Sequence, residues 1–236
     1  MLPNKEIEQL KNDGWLDENF EVSKEIQKCI EKCKSPKQED IFNAFKLFKS
    51  EETQILILGQ DPYPENQKAH GFAFSVQKEY GKIDDSLLNI FKAVKAYKSN
   101  KKFNDVDINE INNWNTDLSE WAKKNKILLL NSALTYDDET SPETRIEIWQ
   151  PFIKNIIEKL LSNNKNKTDV FLWGEKAQKC FLKAINGICI TRNLIVFVSN
   201  HPSNRSVNNN GDFSEKAPEH FRLCDEFLNQ DIWKSM

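Results

Sequence analysis

The chain lacks the features that would assign it to a membrane or secreted class of protein. No apolar run approaches the roughly 20 residues that a membrane-spanning helix needs. The first residues do not resemble a signal peptide, because they lead directly into a polar, acidic, helix-like stretch. The five cysteines are scattered, which favours a reducing compartment over a disulfide framework. We therefore expect a soluble protein without a membrane partner, cytoplasmic if its source is bacterial.

The chain also has no surplus of positive charge. Lys and Arg number 33 against 36 Asp and Glu, and the formal net charge is −3. DNA-binding proteins usually present a basic face, because neutralising phosphates supplies much of their affinity. The balance is a mild argument against a nucleic-acid partner, although 33 basic residues are enough to form a local patch.

Metal ligands are scarce as well. Only three histidines are present, His70, His201 and His220. Cys29 and Cys33 lie four residues apart on a predicted helix, a spacing that suits a metal ion, but no second pair of Cys or His accompanies them. We favour two helical thiols over a metal site, and we expect neither a metal nor a cofactor.

The remaining pattern is an alternation of strands and helices within one domain, residues 1–236. Short apolar runs predict strands at 54–58, 127–130, 169–173 and 194–198. Helices are expected near 5–13, 21–33, 39–48, 86–97, 117–125, 149–162, 175–184 and 217–229, and loops at 98–115 and 203–216. Such alternation predicts an α/β fold, a three-layer α/β/α arrangement with a central four-stranded parallel sheet.

The most informative segment follows the first predicted strand. The β-branched and aliphatic run 55–58 ends abruptly in the turn Gly59-Gln60-Asp61-Pro62-Tyr63-Pro64. The two prolines make this turn stiff, because each fixes φ and removes a backbone donor. A stiff turn at the carboxyl end of a parallel strand is a common ligand site. The alternative is an ordinary proline-rich turn in which Asp61 only caps a backbone group.

Each predicted strand ends at a polar residue or a glycine. The strands end at Gln60 and Asp61, at Asn131, at Gly174 and at His201. Carboxyl ends of parallel strands meet at one edge of a sheet, so these residues are expected to share a crevice. Alternatively, Asn131 and His201 only satisfy backbone groups at strand ends.

Six blocks of sequence in chain order resemble the family 1 uracil-DNA glycosylases. The turn after the first strand is similar to the water-activating loop of that family, and the match spans about residues 14 to 234. Around that turn, the blocks are Ile41-Phe42-Asn43-Ala44-Phe45, Ala69-His70-Gly71-Phe72-Ala73-Phe74-Ser75, Leu128-Leu129-Leu130-Asn131-Ser132, Phe171-Leu172-Trp173-Gly174, His201-Pro202-Ser203 and Asp231-Ile232-Trp233-Lys234. The resemblance implies a uracil-DNA glycosylase-like fold and hydrolysis of the bond between uracil and deoxyribose.

The resemblance implies two catalytic residues, and each suits its role chemically. Asp61 orients and deprotonates a water, and its charge stabilises the oxocarbenium-like sugar. His201 donates a hydrogen bond to the carbonyl oxygen of the departing base, where negative charge develops. A neutral imidazole suffices for this, because it retains one N–H donor.

Four further residues are assigned to the uracil pocket. The amide of Asn131 reads the edge of uracil and rejects the reversed pattern of cytosine. Phe74 stacks on the base, Tyr63 occupies the space that a thymine methyl needs, and the backbone of Gln60 supplies another contact. Strand-like alternation places Phe72 on the other side, in the core.

The resemblance assigns DNA contacts to Ser86, Gly174, Ser203 and Arg205, yet the DNA-handling loops depart from the family pattern. Pro64 replaces a usual His, Glu175 replaces a Ser, and Arg205 replaces the Leu that enters the base stack. Lys82-Ile83-Asp84-Asp85 stands where the family has a proline-rich stretch. We expect a weaker grip on duplex DNA and a preference for single strands or flexible sites.

Two other functions are also compatible with the sequence. One is a glycosylase of the same fold with altered base choice, and the other is a non-catalytic DNA- or partner-binding protein. Tyr63 and Asn131 argue against the first, and Asp61 and His201 against the second. The expected partners are uracil-containing DNA, single- or double-stranded, and a proteinaceous inhibitor of uracil-DNA glycosylases. We expect a monomer.

Overall fold

The fold is built around a four-stranded parallel sheet. The computed structural model describes residues 2–162, 167–188, 194–209 and 211–236. The strands are β1 (Ile55–Gly59), β2 (Ile127–Asn131), β3 (Thr168–Trp173) and β4 (Leu194–Ser199). They are arranged in the order β2-β1-β3-β4, and every pairing is parallel. Every residue of β1, β2 and β3 is buried, which matches their continuous apolar sequence and requires cover on both faces of the sheet.

Helices supply that cover and complete the predicted three-layer α/β/α class. The helix α3 packs against α8, and α5 packs against α6. The α-helices are α1 (Leu2–Asn12), α2 (Lys24–Glu31), α3 (Asp85–Ser99), α4 (Ser119–Asn125), α5 (Pro142–Ser162), α6 (Glu175–Ala184), α7 (Asn204–Asn208) and α8 (Phe213–Leu228). Short 3-10 turns lie at Gln38–Asp40, Asn43–Phe45, Ser50–Glu52, Lys78–Tyr80, Phe103–Asp105, Ile108–Glu110 and Trp233–Ser235. In the part of the chain that the structure describes, no helix combines the length and apolar character needed to cross a membrane.

The predicted helix at 39–48 is wrong. This segment forms the two 3-10 turns Gln38–Asp40 and Asn43–Phe45 instead. Its position is set by a tertiary contact, because the side-chain Nδ2 of Asn43 donates to the carbonyl oxygen of His70 at 3.1 Å. Asn side chains that bond to nearby or distant backbone groups compete with regular helix formation.

Two further boundaries differ from the prediction. The helix α5 begins at Pro142, seven residues before the predicted start, and the Oγ of Ser141 accepts a hydrogen bond from the backbone of Thr144 at 3.2 Å. Ser followed by Pro is a common helix start, because Pro needs no donor at the first helical position. The predicted loop at 203–216 is also wrong in part, since it contains α7 and the beginning of α8.

An aromatic cluster joins the sheet to the last residues of the chain. The indole of Trp233 stacks on Phe221 with ring centroids 3.8 Å apart and also contacts Phe171 of β3 at 5.1 Å. Phe171 stacks in turn on Phe197 of β4 at 4.7 Å. The final motif of the sequence therefore supports the strands whose ends carry the polar residues described below.

One buried carboxyl group in β3 makes stability depend on pH. Asp169 is fully buried, and the neighbouring Cys224 thiol and the charge of Lys167 only partly offset the effect of that burial. Burial raises the pKa of Asp169 to about 7, whereas an unfolded chain has a value of about 3.9. The folded state therefore keeps a proton that the unfolded state releases. The resulting stabilisation is complete below about pH 4 and is lost as pH rises through about 7.

We expect the free energy of unfolding of the wild type, relative to Asp169→Asn, to fall by about 3 kcal/mol between pH 4 and pH 7. The amide of Asn cannot ionise, so the variant reports the pH dependence of all other groups. Urea unfolding of both proteins at several pH values measures the difference. A difference that does not change over this range would contradict the assignment.

Candidate active site

A cavity of about 220 Å³ opens at the carboxyl edge of the sheet. It is bounded by residues that follow β1 and β4, by the last residue of β2 and by the start of α3. The predicted site residues that line it are Gln60, Asp61, Tyr63, Phe74, Ser86, Asn131 and His201. Residues distant in sequence thus meet at one place, as the alignment of strand ends predicts.

Asn131 presents an uncommitted amide to the cavity. It is only 7% exposed, and among the described residues its side-chain amide has no hydrogen-bond partner. Gly59 lies opposite Asn131 in the pairing of β1 with β2. A Cβ at residue 59 would lie only 2.4 Å from Oδ1 of Asn131, so glycine is needed there to make room for the amide. Because a buried amide without a partner is costly, this group is suited to a polar ligand.

Both carboxylate oxygens of Asp61 are held in place. Oδ1 accepts a hydrogen bond from Nε2 of Gln60 at 2.9 Å, and Oδ2 accepts one from Nη2 of Arg145 at 2.5 Å. The Asp61 side chain is 13% exposed and the Arg145 side chain 3%. Asp61 is therefore a fixed carboxylate on the wall of the cavity, paired with a buried cation.

Arg145 is the site residue that the sequence prediction missed. It lies in the first turn of α5, 84 positions away from its partner, in a segment that the prediction left outside any helix. The one feature of the sequence that could have indicated this role is that residue 145 is an arginine. The 33 basic residues include only four arginines, Arg145, Arg192, Arg205 and Arg222. Arg is preferred to Lys where a buried ion pair is required.

The hydrogen bonds of His201 define its tautomer. The backbone N–H of Ser203 donates to Nδ1 at 3.1 Å, so Nδ1 is an acceptor and the ring proton resides on Nε2. Burial lowers the pKa of His201, and the charge of Lys176 acts in the same direction, against the raising effects of Asp84 and Asp61. The imidazole is therefore a neutral donor at the cavity wall.

Gly174 makes room for that imidazole. Its φ of +102° lies in the region that favours glycine, and a Cβ there would lie 3.0 Å from Cβ of His201. Gly174 also precedes α6, which begins at Glu175. The structure thus places Gly174 behind the histidine rather than in the lining of the cavity.

Tyr63 forms a rigid wall of the cavity. Its hydroxyl donates to the carbonyl oxygen of Phe74 at 3.3 Å, and Nζ of Lys68 lies 4.0 Å from the centroid of its ring. Lys68 is itself paired with Asp84 at 2.7 Å. Burial raises the pKa of the Tyr63 hydroxyl, so the ring remains neutral. A ring held by these contacts has little freedom to move aside for a larger ligand.

Phe72 lies in the hydrophobic core, as expected, with its ring centroid 5.0 Å from that of His70. Phe72 and Phe74 are both buried and both line the cavity. The segment is not a strand, because Gly71 has a φ of +88° and Phe74 a φ of +62°. The alternation of a strand does not apply to such a backbone. Phe74 also contacts His201, with ring centroids 5.9 Å apart.

His70 belongs to the same motif but has a scaffolding role. Its Nε2 lies 2.8 Å from Oγ of Ser75, and that Oγ accepts a hydrogen bond from the backbone of Leu118 at 2.9 Å. The imidazole is buried, and burial lowers its pKa. It joins the loop after β1 to the segment that leads into α4, and it does not line the cavity.

Of the residues predicted to contact DNA, only Ser86 lines the cavity. It lies at the start of α3, and Ser203 precedes α7. Arg205 is exposed on α7 and has no ion-pair partner among the residues that the structure describes. Glu175 is exposed at the start of α6 and pairs with Lys179 at 2.5 Å. Arg205, which is unpaired among the described residues, and Glu175, which replaces a serine of the family pattern, are thus both exposed to solvent.

The thiols of Cys29 and Cys33 show the geometry of packing rather than of metal binding. Cys29 is buried in α2, and Sγ of Cys33 lies 3.2 Å from the carbonyl oxygen of Ser35. Burial raises the pKa of Cys33 to about 11, which disfavours the thiolate that a metal requires. Within the described ranges, no group of three or more His, Cys, Asp or Glu is arranged to hold a metal ion.

Known proteins match this chain in both sequence and fold. A family model described as the uracil DNA glycosylase superfamily matches residues 45–229. Uracil-DNA glycosylase 1 of Listeria innocua serovar 6a is 34% identical over 197 residues, which cover 83% of this chain and 79% of that protein.

Two solved structures share the fold. The UNG crystal structure from Nitratifractor salsuginis superimposes with a TM-score of 0.65 at 22% identity, covering 96% of this chain and 98% of that chain. A mimivirus UNG variant solved in complex with UGI has a TM-score of 0.61 at 22% identity, covering 83% of this chain and 72% of that one. On the family match and the sequence identity, the chain belongs to the uracil DNA glycosylase superfamily.

Proposed function

We propose that this single-domain protein hydrolyses the N-glycosidic bond of uracil in DNA, releasing free uracil and leaving an abasic site for base excision repair. The observation that carries the proposal is the joint placement of Asp61, Asn131 and His201 around one cavity. A carboxylate, an unpaired amide and a neutral imidazole donor are the groups that this reaction needs. Family membership supports the same reaction.

Asp61 serves the sugar side of the reaction. Departure of the base leaves positive charge on the sugar, and a carboxylate on the cavity wall stabilises that charge. The same carboxylate accepts the proton of a water that attacks C1′ of the sugar. Water supplies the new C1′–O bond as the bond from C1′ to N1 of uracil breaks.

His201 serves the base side. The electron pair of the broken bond stays on uracil, and negative charge spreads to its carbonyl oxygen. The Nε2–H of a neutral imidazole stabilises that oxygen without transferring a proton, which agrees with the hydrogen bond from Ser203 to Nδ1. The two residues together supply charge stabilisation of both signs.

Base choice rests on the unpaired amide of Asn131 and on the wall that Tyr63 provides. Pairing with uracil satisfies a buried group, whereas cytosine would present a donor where the amide also donates. One methyl in an apolar pocket changes affinity by only about 1–3 kcal/mol, so exclusion of thymine requires a rigid obstacle. The contacts of Tyr63 with Phe74 and Lys68 provide that rigidity. They favour uracil over an altered base choice.

DNA handling is proposed to be weaker on duplexes than on single strands. Extruding a base from a duplex costs a few kcal/mol, which contacts to the DNA backbone must offset. Two exposed carboxylates adjoin the site in sequence: Asp85 precedes Ser86 of the cavity lining, and Glu175 follows Gly174, which lies against His201. Arg205 offers a planar cation that stacks on bases and meets phosphate. We also propose that the protein acts as a monomer and binds a proteinaceous inhibitor, as its structural neighbour in complex with UGI does.

The test is release of uracil from a single-stranded and a duplex oligonucleotide that each carry one deoxyuridine. We expect release from both, with a higher kcat/KM on the single strand at equal ionic strength. Glu175→Ser should raise kcat/KM on the duplex more than on the single strand, because it removes a charge that repels phosphate. Equal efficiencies on both substrates would contradict the strand preference.

Two outcomes would overturn the function itself. DNA binding without release of any base would indicate a non-catalytic binding protein. Release of thymine, xanthine or hypoxanthine in preference to uracil would indicate a glycosylase with altered base choice.

A further inference from the structure

We propose that Arg145 is a positioning residue for Asp61, fixing the orientation of the catalytic carboxylate rather than contacting substrate. This inference rests on the proposed function. The guanidinium is bound to Oδ2 of Asp61 at 2.5 Å, and Arg145 does not line the cavity. It therefore acts on the reaction only through its partner.

The guanidinium is fixed independently of Asp61. Nη1 donates to the carbonyl oxygen of Asp137 at 3.0 Å and also to that of Thr140. The ring of Tyr136 lies 4.5 Å from Cζ. Arg145 is only 2% exposed, so its conformation is determined by packing before it meets the carboxylate.

The carbonyl groups that hold the guanidinium are fixed in turn. Oδ1 of Asp137 accepts hydrogen bonds from the backbone of Glu139 at 2.9 Å and of Thr140 at 2.8 Å. This closes a tight turn between β2 and α5. The same turn leads into the helix that carries Arg145. Asp61, at the end of β1, is thus connected to a rigid turn that follows the neighbouring strand.

The consequence for Asp61 is an immobile carboxylate plane. Gln60 holds Oδ1 and Arg145 holds Oδ2, and each oxygen retains a second acceptor site. Those remaining sites are available for the attacking water. Catalytic groups must be held within about 10–20° of the productive orientation, which a single hydrogen bond from Gln60 does not ensure.

Charge alone does not explain this pair. A cation 2.5 Å from Asp61 partly cancels the field that stabilises the positive sugar. Removing Arg145 would therefore accelerate the reaction if only the field mattered. Removal slows the reaction if orientation matters more, because misplacement of a reacting group by about 1 Å costs about 100-fold in rate. The two effects have opposite signs, so the sign of the change identifies the role.

The test is a double-mutant cycle in uracil release from single-stranded DNA. The proteins are wild type, Arg145→Met, Arg145→Lys, Asp61→Asn, and each Arg145 variant combined with Asp61→Asn. Arg222→Met is the matched control, because Arg222 is an exposed arginine paired with Glu219 and Glu226 on α8. Thermal unfolding and circular dichroism establish which variants are folded, and kcat and KM are measured for each.

We expect Arg145→Met to lower kcat by about 10- to 100-fold with KM within about twofold of wild type. Arg145→Lys should recover part of the loss, since an ammonium still reaches one carboxylate oxygen. In the Asp61→Asn background, both changes should have almost no further effect, because there is no carboxylate left to orient. Arg222→Met should behave as wild type.

Three results would overturn the proposal: kcat unchanged or raised, a loss confined to KM, or a loss of the same size in the Asp61→Asn background. If Arg145→Met does not fold, the cycle with Arg145→Lys decides between these results. Failure of the proposed function looks different, because wild type itself would then release no uracil.

Discussion

Replacing Asp61 by Asn is expected to reduce the rate of uracil release by about 1,000-fold or more. The substitution keeps the shape of the side chain and its contact with Gln60 but removes two contributions. An amide carries no charge to stabilise the sugar, which is worth about 100- to 1,000-fold, and it cannot accept a proton from water, which is worth about 100- to 10,000-fold. The two factors do not multiply in full, because the same carboxylate supplies both effects.

The loss should fall on kcat rather than on KM. Asp61 lies on the wall of the cavity and is already paired with Arg145, so uracil binding does not depend on its charge. Single-turnover release from single-stranded DNA, measured with enzyme in excess, separates the chemical step from binding and product release. Binding of the same oligonucleotide to Asp61→Asn should match that to wild type.

A matched control is available at another carboxylate. Asp40 lies outside the lining of the cavity, and its Oδ1 accepts a hydrogen bond from Nδ2 of Asn43, which the Oδ1 of an Asn at this position can also accept. Asp40→Asn should retain activity close to that of wild type. An Asp61→Asn protein that releases uracil within tenfold of wild type would show that water is activated by another group.

The strand ends could be predicted from sequence because their signal is local. Each strand is a short apolar run, and its end coincides with a sharp change to Gly, Pro or polar residues. All four observed strands begin and end within one residue of the predicted limits. Parallel pairing then brings the following residues to one edge, so Asp61, Asn131 and His201 could be expected near one another before any contact was known.

The missed features depend on contacts between distant segments. The pairing of Arg145 with Asp61 joins two turns that no local pattern relates. The backbone around Phe72 has positive φ values at Gly71 and Phe74, which strand-like alternation does not predict. The absence of a helix at 39–48 depends on the hydrogen bond from Asn43 to the loop after β1. Tertiary contacts override local propensity in each case.

His201→Leu is expected to reduce kcat by about 100- to 1,000-fold, because it removes a hydrogen-bond donor from the place where charge develops on the base. Leu retains the apolar contact with Phe74, so KM should change little. His201→Gln keeps an N–H donor of similar reach and should recover part of the rate. Equal losses in the two variants would contradict the role of the donor.

The pH dependence of the wild type provides an independent test of the neutral imidazole. Burial lowers the pKa of His201, so the neutral ring predominates where an exposed histidine would be half protonated, at about pH 6.5. Protonation would also place a hydrogen on Nδ1, opposite the N–H of Ser203, and break that hydrogen bond. We therefore expect kcat to remain constant as pH is lowered from 8 through about 6.5.

A fall in kcat centred near pH 6.5 would mean that the imidazole titrates as an exposed group does, and a rise on acidification would mean that a charged imidazole is the active form. The same profile measured on His201→Gln separates the titration of His201 from that of every other group, because the Gln side chain of the variant does not titrate. A constant profile in both proteins, together with the higher rate of His201→Gln over His201→Leu, would identify the N–H donor itself, and not the charge, as what His201 contributes to the departure of uracil.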